Sequence, residues 1–176
     1  TKFTHTAGLL RSFFLDKGFK EVHTQNRLSI LAACEDPFNV ATYNYAGQVW
    51  PLPQTGQMWL EHELLSQPNE KGFFCVSTSY RQEPNAIPGR HDIIFPMFEF
   101  EAPGNFDDLL KLESDLCTHL GCKCDHGRAP YEDLDFPGGG YLSMVAKYTA
   151  PDNTLEANHE LDMYKEYGDV FFLTEF

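Results

Sequence analysis

Positive charge is scarce in this chain of 176 residues. Thirteen Lys and Arg stand against 26 Asp and Glu, a formal net charge of −13. The imbalance deepens from Ala102 onward, where five Lys/Arg face fifteen Asp/Glu. Such a surface repels polyanions at long range, which disfavours nucleic acid as a direct partner. Long apolar runs are missing as well. None approaches the roughly 20 residues that a membrane span needs. The first residues lack the basic, apolar and small-residue pattern of a signal peptide. A cytoplasmic protein without a membrane partner is therefore expected. There is no low-complexity tract and no internal repeat, which argues against a linker or a solenoid. Cysteines are few and odd in number: Cys34, Cys75, Cys117, Cys122 and Cys124. An odd count without an export signal points to reduced thiols. Cys117, Cys122, Cys124 and His126 form a C-x4-C-x-C-x-H cluster. Its C-x-C step is tighter than zinc sites usually have, so buried or incidental thiols are expected there and no metal site.

What is present is aromatic and periodic. The length suffices for one domain with a sizeable core. Residues 4–17 place Ala7, Leu9, Leu10, Phe13 and Phe14 at helical spacing, with Thr4 or Thr6 as cap and Gly18 as stop. Residues 19–24 alternate as a strand. Residues 26–34 are apolar but irregular. Residues 49–52 predict a short edge strand or a turn, since prolines stand nearby. A helix over 55–66 is expected to be capped by Thr55. Residues 73–82 and 93–102 predict two strands of a hairpin. The clearest helix is 105–120, with Asn105 as cap, Asp107 and Asp108 in the first turn and Gly121 at its end. Residues 122–140 predict a long loop. Helices over 141–148 and 155–167, the second ended by Gly168, precede a buried strand at 170–173. Hairpin strands mixed with helices on one side argue an α+β domain, an antiparallel β-sheet flanked by helices.

The hairpin carries the chemistry. Its first strand ends on Tyr80, Arg81 and Glu83, and a turn-rich loop follows with Pro84, Asn85, Pro88 and Gly89. The second strand opens on Arg90 and His91 and continues through Phe95, Met97 or Phe98, Glu99 and Glu101. Arg81 and Glu83 are two residues apart, so on a strand both point to one face. A cation for phosphate, a carboxylate for a base amine and a ring for stacking together suit a nucleotide. Glu99 and Glu101 also share a face, which leaves one to hold a metal while the other is solvated.

Tyr80, Arg81, Glu83, Arg90, His91, Phe95 and Glu99, in that order around a loop, resemble motif 2 of the class II aminoacyl-tRNA synthetases. The likeness extends along most of the chain and is weakest at 122–150. Residues 10–24 are similar to motif 1, the dimer interface of that family, although Gln25 stands where the aspartyl/asparaginyl branch has Pro. Residues 52–61 resemble the segment that lines the amino-acid pocket. Leu60 occupies the place where aspartyl enzymes carry a substrate-reading Lys, so the asparaginyl form is closer. Glu35 falls where the branch has an acid near the substrate ammonium. His159 and Glu160 with residues 170–174 resemble the asparaginyl pattern. Motif 3, the metal-binding carboxylates before it and an anticodon-binding domain are not in the sequence. A synthetase-like catalytic domain over 1–176 without them is expected, either as part of a longer protein or as a degenerate relative.

The resemblance implies an ATP-dependent ligase that activates a small amino acid, asparagine- or aspartate-like, as its adenylate. Arg81 would be catalytic, bridging the α-phosphate and the attacking carboxylate. Glu83 would face the adenine amine, Phe95 would stack on adenine, and Arg90 and His91 would lie near the outer phosphates with Mg²⁺. Glu35, Thr55 and Gln57 would bind the amino acid. A homodimer is implied. Two alternatives stand beside this reading: an AMP-forming asparagine synthetase-like ligase with a small-molecule acceptor, and a non-catalytic relative that binds a ligand or regulates a partner.

Overall fold

The computed structural model describes residues 1–24, 36–89, 92–123 and 134–175. Glu35, Arg90, His91, Cys34, Cys124, His126 and the irregular segment 26–34 therefore lie outside the described residues. The chain divides into two compact units, Arg11–Pro103 and the remainder, Thr1–Leu10 with Gly104–Phe176.

The first unit is built on the predicted hairpin. Strand β4 (Phe73–Tyr80) pairs antiparallel with β5 (Ile94–Glu101), from Phe73 opposite Glu101 to Tyr80 opposite Ile94. Strand β1 (Lys20–Glu21) lies parallel to β4 on its other side, so the order is β1-β4-β5. Among the described residues β5 is thus an edge strand, which suits Pro96, a residue with no N–H to give a ladder. The strand expected over 19–24 is shorter than its alternation suggests. Only the Lys20 and Val22 amides reach carbonyls on the neighbouring segment, those of Gly72 and Phe74, at 3.0 and 2.8 Å.

Alternation sorts the hairpin into two faces. Phe74, Phe98 and Phe100 fall on one. Phe14, in the C-terminal half of α1 (Lys2–Asp16), sits against them with ring centroids 5.7, 5.3 and 4.9 Å away. Phe14 is fully buried, and Phe19 adds an edge contact to it at 5.1 Å. The opposite face is covered by α2 (Gln57–Ser66), whose buried Leu60 packs with Phe73 and Cys75. A second hairpin, β2 (Thr42–Tyr45) with β3 (Gln48–Pro51), turns at Ala46 and Gly47, both at positive φ as primed turns require.

The second unit contains α3 (Phe106–His119), α4 (Tyr141–Lys147) and α5 (Ala157–Tyr167). The expected cap is present on α3: Asn105 accepts from the Asp108 amide while the Asp108 carboxylate accepts from the Asn105 amide. Leu110, Leu134, Phe136 and Phe172 form its core. Strand β6 (Gly138–Gly140) pairs parallel with β7 (Phe172–Thr174) inside the stretch expected to be loop. Three glycines carry no side-chain signal for a strand, and only the backbone partner at 172–174 makes one of them. The fold class is α+β, with antiparallel hairpins and two short parallel pairs. No helix among the described residues is long and apolar enough to cross a membrane.

Candidate functional site

The α2-facing side of the hairpin presents Cys75, Ser77 and Ser79 from β4 and Phe95, Met97, Glu99 and Glu101 from β5. The pairing runs one step past the strands, since the Arg81 amide donates to the Ile93 carbonyl at 2.8 Å. Ser79 lies opposite Phe95, so Arg81, two residues on, shares the face of Phe95. Met97, not Phe98, continues that face. A cleft of about 350 Å³ opens here, lined by Gln54, Thr55, Gln57, Leu60, Arg81 and residues 97–101.

Glu99 organises the cleft wall. Its carboxylate accepts from the Thr55 hydroxyl, the Ser77 hydroxyl and, at 2.8 Å, the Gly56 amide. These bonds fasten the start of α2 to the sheet, with a carboxylate beside the positive end of the helix. The approach is close enough to require glycine. A Cβ on Gly56 would meet Cys75 Sγ at 2.8 Å and Glu99 Oε2 at 3.1 Å. Thr55 serves the same junction, since its hydroxyl also accepts from the Gln57 amide at 3.0 Å. The helix cap itself is Gly56, one residue later than expected. Gln57 donates to Glu61 at 2.7 Å. Gln54, fully buried, pairs with both backbone groups of Asp36: Oε1 accepts from the amide at 2.9 Å and Nε2 donates to the carbonyl at 2.8 Å.

Charge is divided within the cleft. Glu101 is half-buried, and its pKa is raised by burial and then by the carboxylates of Glu61 and Glu99. Burial, with Glu99 and Glu21 nearby, pushes the Cys75 thiol up to about 12, so it stays protonated and inert. Arg81 is half-buried, donates through Nε to Ser79 Oγ at 3.4 Å, and has no carboxylate partner among the described residues. A guanidinium with no carboxylate partner among the described residues, at the edge of a cleft, is suited to an incoming anion.

The sequence-predicted residues separate on this geometry. Arg81, Thr55 and Gln57 line one cleft, and Phe95 shares the face of Arg81, although the cleft lining does not include it. Glu83 is half-buried beyond the strand. β4 ends at Tyr80, and the Gln82 amide turns to the Asn39 carbonyl at 2.9 Å, so strand alternation does not fix where Glu83 points. Sequence reasoning missed Gln54 and gave Glu99 to a metal or to solvent. The signal for Gln54 was its place in the segment 52–61, beside Pro53 at a helix start, where only its neighbours Thr55 and Gln57 were singled out. Among the described residues no group of three or more His, Cys, Asp or Glu side chains could hold a metal ion. A larger depression of about 520 Å³ runs along β1, but its Arg11 is already paired with Glu21 at 3.0 Å.

No family model matches this chain, and no curated protein matches it by sequence. Solved structures do match in shape. Asparaginyl-tRNA synthetase from Pyrococcus horikoshii, complexed with asparaginyl-adenylate, is similar with TM-score 0.74 and 19% identity, over 96% of this chain and 42% of that one. The Entamoeba histolytica asparaginyl-tRNA synthetase with asparaginyl-adenylate gives 0.73 and 20% over 98% of this chain and 42% of that one. A further structure of the Entamoeba enzyme gives 0.72 and 21%, over 97% and 42%. The chain spans about two fifths of the length of these synthetases. At such identities the likeness shows the fold alone, an α+β fold shared with part of these asparaginyl-tRNA synthetases.

Proposed function

We propose that this domain binds ATP and a small neutral amino acid, asparagine or a close analogue, and joins them as an aminoacyl-adenylate. The observation that carries the reading is Arg81, a half-buried guanidinium without a carboxylate partner among the described residues, at a cleft whose opposite wall is tied down by Glu99. Activation is an in-line attack of a carboxylate oxygen on the α-phosphorus, with pyrophosphate leaving. Two anions must be brought together, and a forked cation that touches both lowers that barrier. Phe95, on the same face, offers a ring to the base, and Glu83 a carboxylate to its amine. Gln57 and Thr55, which line the cleft, are the residues that would bind the amino acid. Leu60, buried with an edge on the cleft, supplies no charge for a second carboxylate, which favours asparagine over aspartate. Mg²⁺ would arrive with the ATP phosphates and screen their charge. Glu35, Arg90 and His91 remain proposals from the resemblance alone.

Amino-acid-dependent exchange of pyrophosphate into ATP tests the reading on the full-length gene product. Exchange with asparagine, slowed about 10²–10³-fold by Arg81→Ala, supports it. Near-wild-type exchange in that variant would remove Arg81 from the mechanism. Phe95→Ala is expected to weaken ATP binding chiefly, since stacking acts on ground and transition states alike.

The charge of −13 favours a second reading in which the acceptor is a small molecule such as ammonia and not tRNA. No retention of tRNA by this chain at physiological salt is then expected, and tight saturable binding would overturn it. ATP binding without exchange for any amino acid would favour the non-catalytic relative. The similarity of residues 10–24 to motif 1 supports a homodimer, and sedimentation as monomer alone at micromolar concentration would count against one.

A further inference from the structure

The C-terminus of α3 brings two thiols together. The Cys122 amide donates to the Cys117 carbonyl at 3.0 Å, and the Gly121 amide to the Thr118 carbonyl at 3.0 Å, with Gly121 at φ +82°. This is a Schellman motif, in which the residue after the glycine folds back onto the helix residue five positions earlier. That contact is usually hydrophobic. Here both positions are cysteine. The fold-back sets the two residues side by side, and both side chains pack, partly exposed, against the cluster of Leu110 and Phe136.

We propose that Cys117 and Cys122 are a redox modification site, closed to an intrachain disulfide by a low-molecular-weight disulfide such as oxidised glutathione. The Cys122 thiolate attacks one glutathione sulfur, the glutathione S–S bond breaks, and the first glutathione leaves as thiolate and takes a proton from water. Cys117 then gives its proton to solvent, and its sulfur attacks Cys122 and displaces the second glutathione. Two cysteines lose two electrons, and one glutathione disulfide becomes two thiols. Burial, then the neighbouring Cys122 and Glu113, push the Cys117 thiol up to about 11, so it acts second, where proximity compensates for a scarce thiolate. The bond would clamp the end of α3 to its cap.

Trypsin cuts after Lys111 and Lys123, so residues 112–123 carry both cysteines and exclude Cys124. The native chain is equilibrated with mixed reduced and oxidised glutathione, quenched in acid, alkylated and digested. The expected product is this peptide unalkylated and lighter by two hydrogens. Its equilibrium with glutathione should correspond to an effective thiol concentration at least about tenfold above that of a synthetic 112–123 peptide. Gly121→Ala should lower that advantage several-fold. Nothing among the described residues blocks the new Cβ, but an alanine resists the left-handed backbone that closes the motif. An advantage no larger than the free peptide's would overturn the proposal. So would a product in which either cysteine is joined to Cys124, or a mixed disulfide with glutathione that never closes.

Discussion

On one face of the β4–β5 hairpin, Phe74, Phe98 and Phe100 lie against Phe14; on the other, Glu99 gathers Thr55, Gly56 and Ser77 beneath α2. The same two strands supply both. The aromatic face stabilises through area, because each ring removes about 150–250 Å² from water and tolerates modest changes in angle. The polar face stabilises through direction. Its hydrogen bonds each add only about 1 kcal/mol net, but they hold a helix end, a carboxylate and a cleft in register. Stability is therefore expected to depend more on the first face, and ligand chemistry on the second.

The sharpest way to break this division is Phe14→Ala. Removal of a fully buried ring should cost about 3–5 kcal/mol, read as a fall in the urea midpoint. A loss below about 1 kcal/mol would mean that the aromatic face is not the principal anchor. Glu99→Ala comes next. It leaves two hydroxyls and one amide without their acceptor and should cost about 2 kcal/mol, with Glu99→Gln losing less because the amide keeps one acceptor oxygen. Gly56→Ala probes the same junction sterically and should cost about 1–3 kcal/mol. Cys75→Ala, by removing the sulfur that the new Cβ would strike, should restore part of it. No rescue in the double variant would show that the tight approach lies elsewhere.

The aromatic face was legible because a period of two and a period of 3.6 leave plain marks in a sequence. Phe13 and Phe14 on a helix, Phe73 and Phe74 on a strand, and the cap at Asn105 each announce their element. Hairpin and register together also put Arg81 and Phe95 on one side. The polar wall was less legible. Glu99 looks like any acid on a strand until Thr55, forty-four residues earlier, is brought beside it. Gln54 lies within the segment 52–61 but has no period to single it out; its meaning comes from Asp36. The strand of Gly138–Gly140 had no side chains with which to announce itself, and its partner lies at the far end of the chain. In each case the deciding partner is distant in sequence, where local pattern carries no information.

Arg81→Ala separates structure from chemistry on the polar face. Among the described residues the guanidinium makes one long bond, to Ser79 Oγ, so its loss should change stability by no more than about 0.5 kcal/mol. Calorimetric ATP affinity should nevertheless fall by about tenfold, since a charge-assisted bond to phosphate contributes about 1.5–3 kcal/mol. A destabilisation of about 2 kcal/mol with unchanged ATP affinity would make Arg81 a structural residue and remove the functional distinction between the faces.

The smallest effect is also the one with a definite sign in pH. Glu101 is half-buried beside Glu61 and Glu99, and its pKa is raised from 4.5, first by burial and then by those two charges. Between 4.5 and the raised value the folded chain binds more protons than the unfolded chain, so stability falls as pH rises through that window. At neutral pH the folded state carries the full penalty of ionising this carboxyl. Glu101→Gln removes the charge and keeps the shape, so Tm at neutral pH should rise by about 1–3 °C. Below pH 4.5, where the wild-type carboxyl is protonated in both states, the gain should vanish. An equal Tm difference at both pH values would show that the gain comes from packing of the amide and not from relieved charge. A loss of Tm at neutral pH would mean that Glu101 has a partner that favours its ionised form, and that the polar face is more fully satisfied than its three crowded carboxylates suggest.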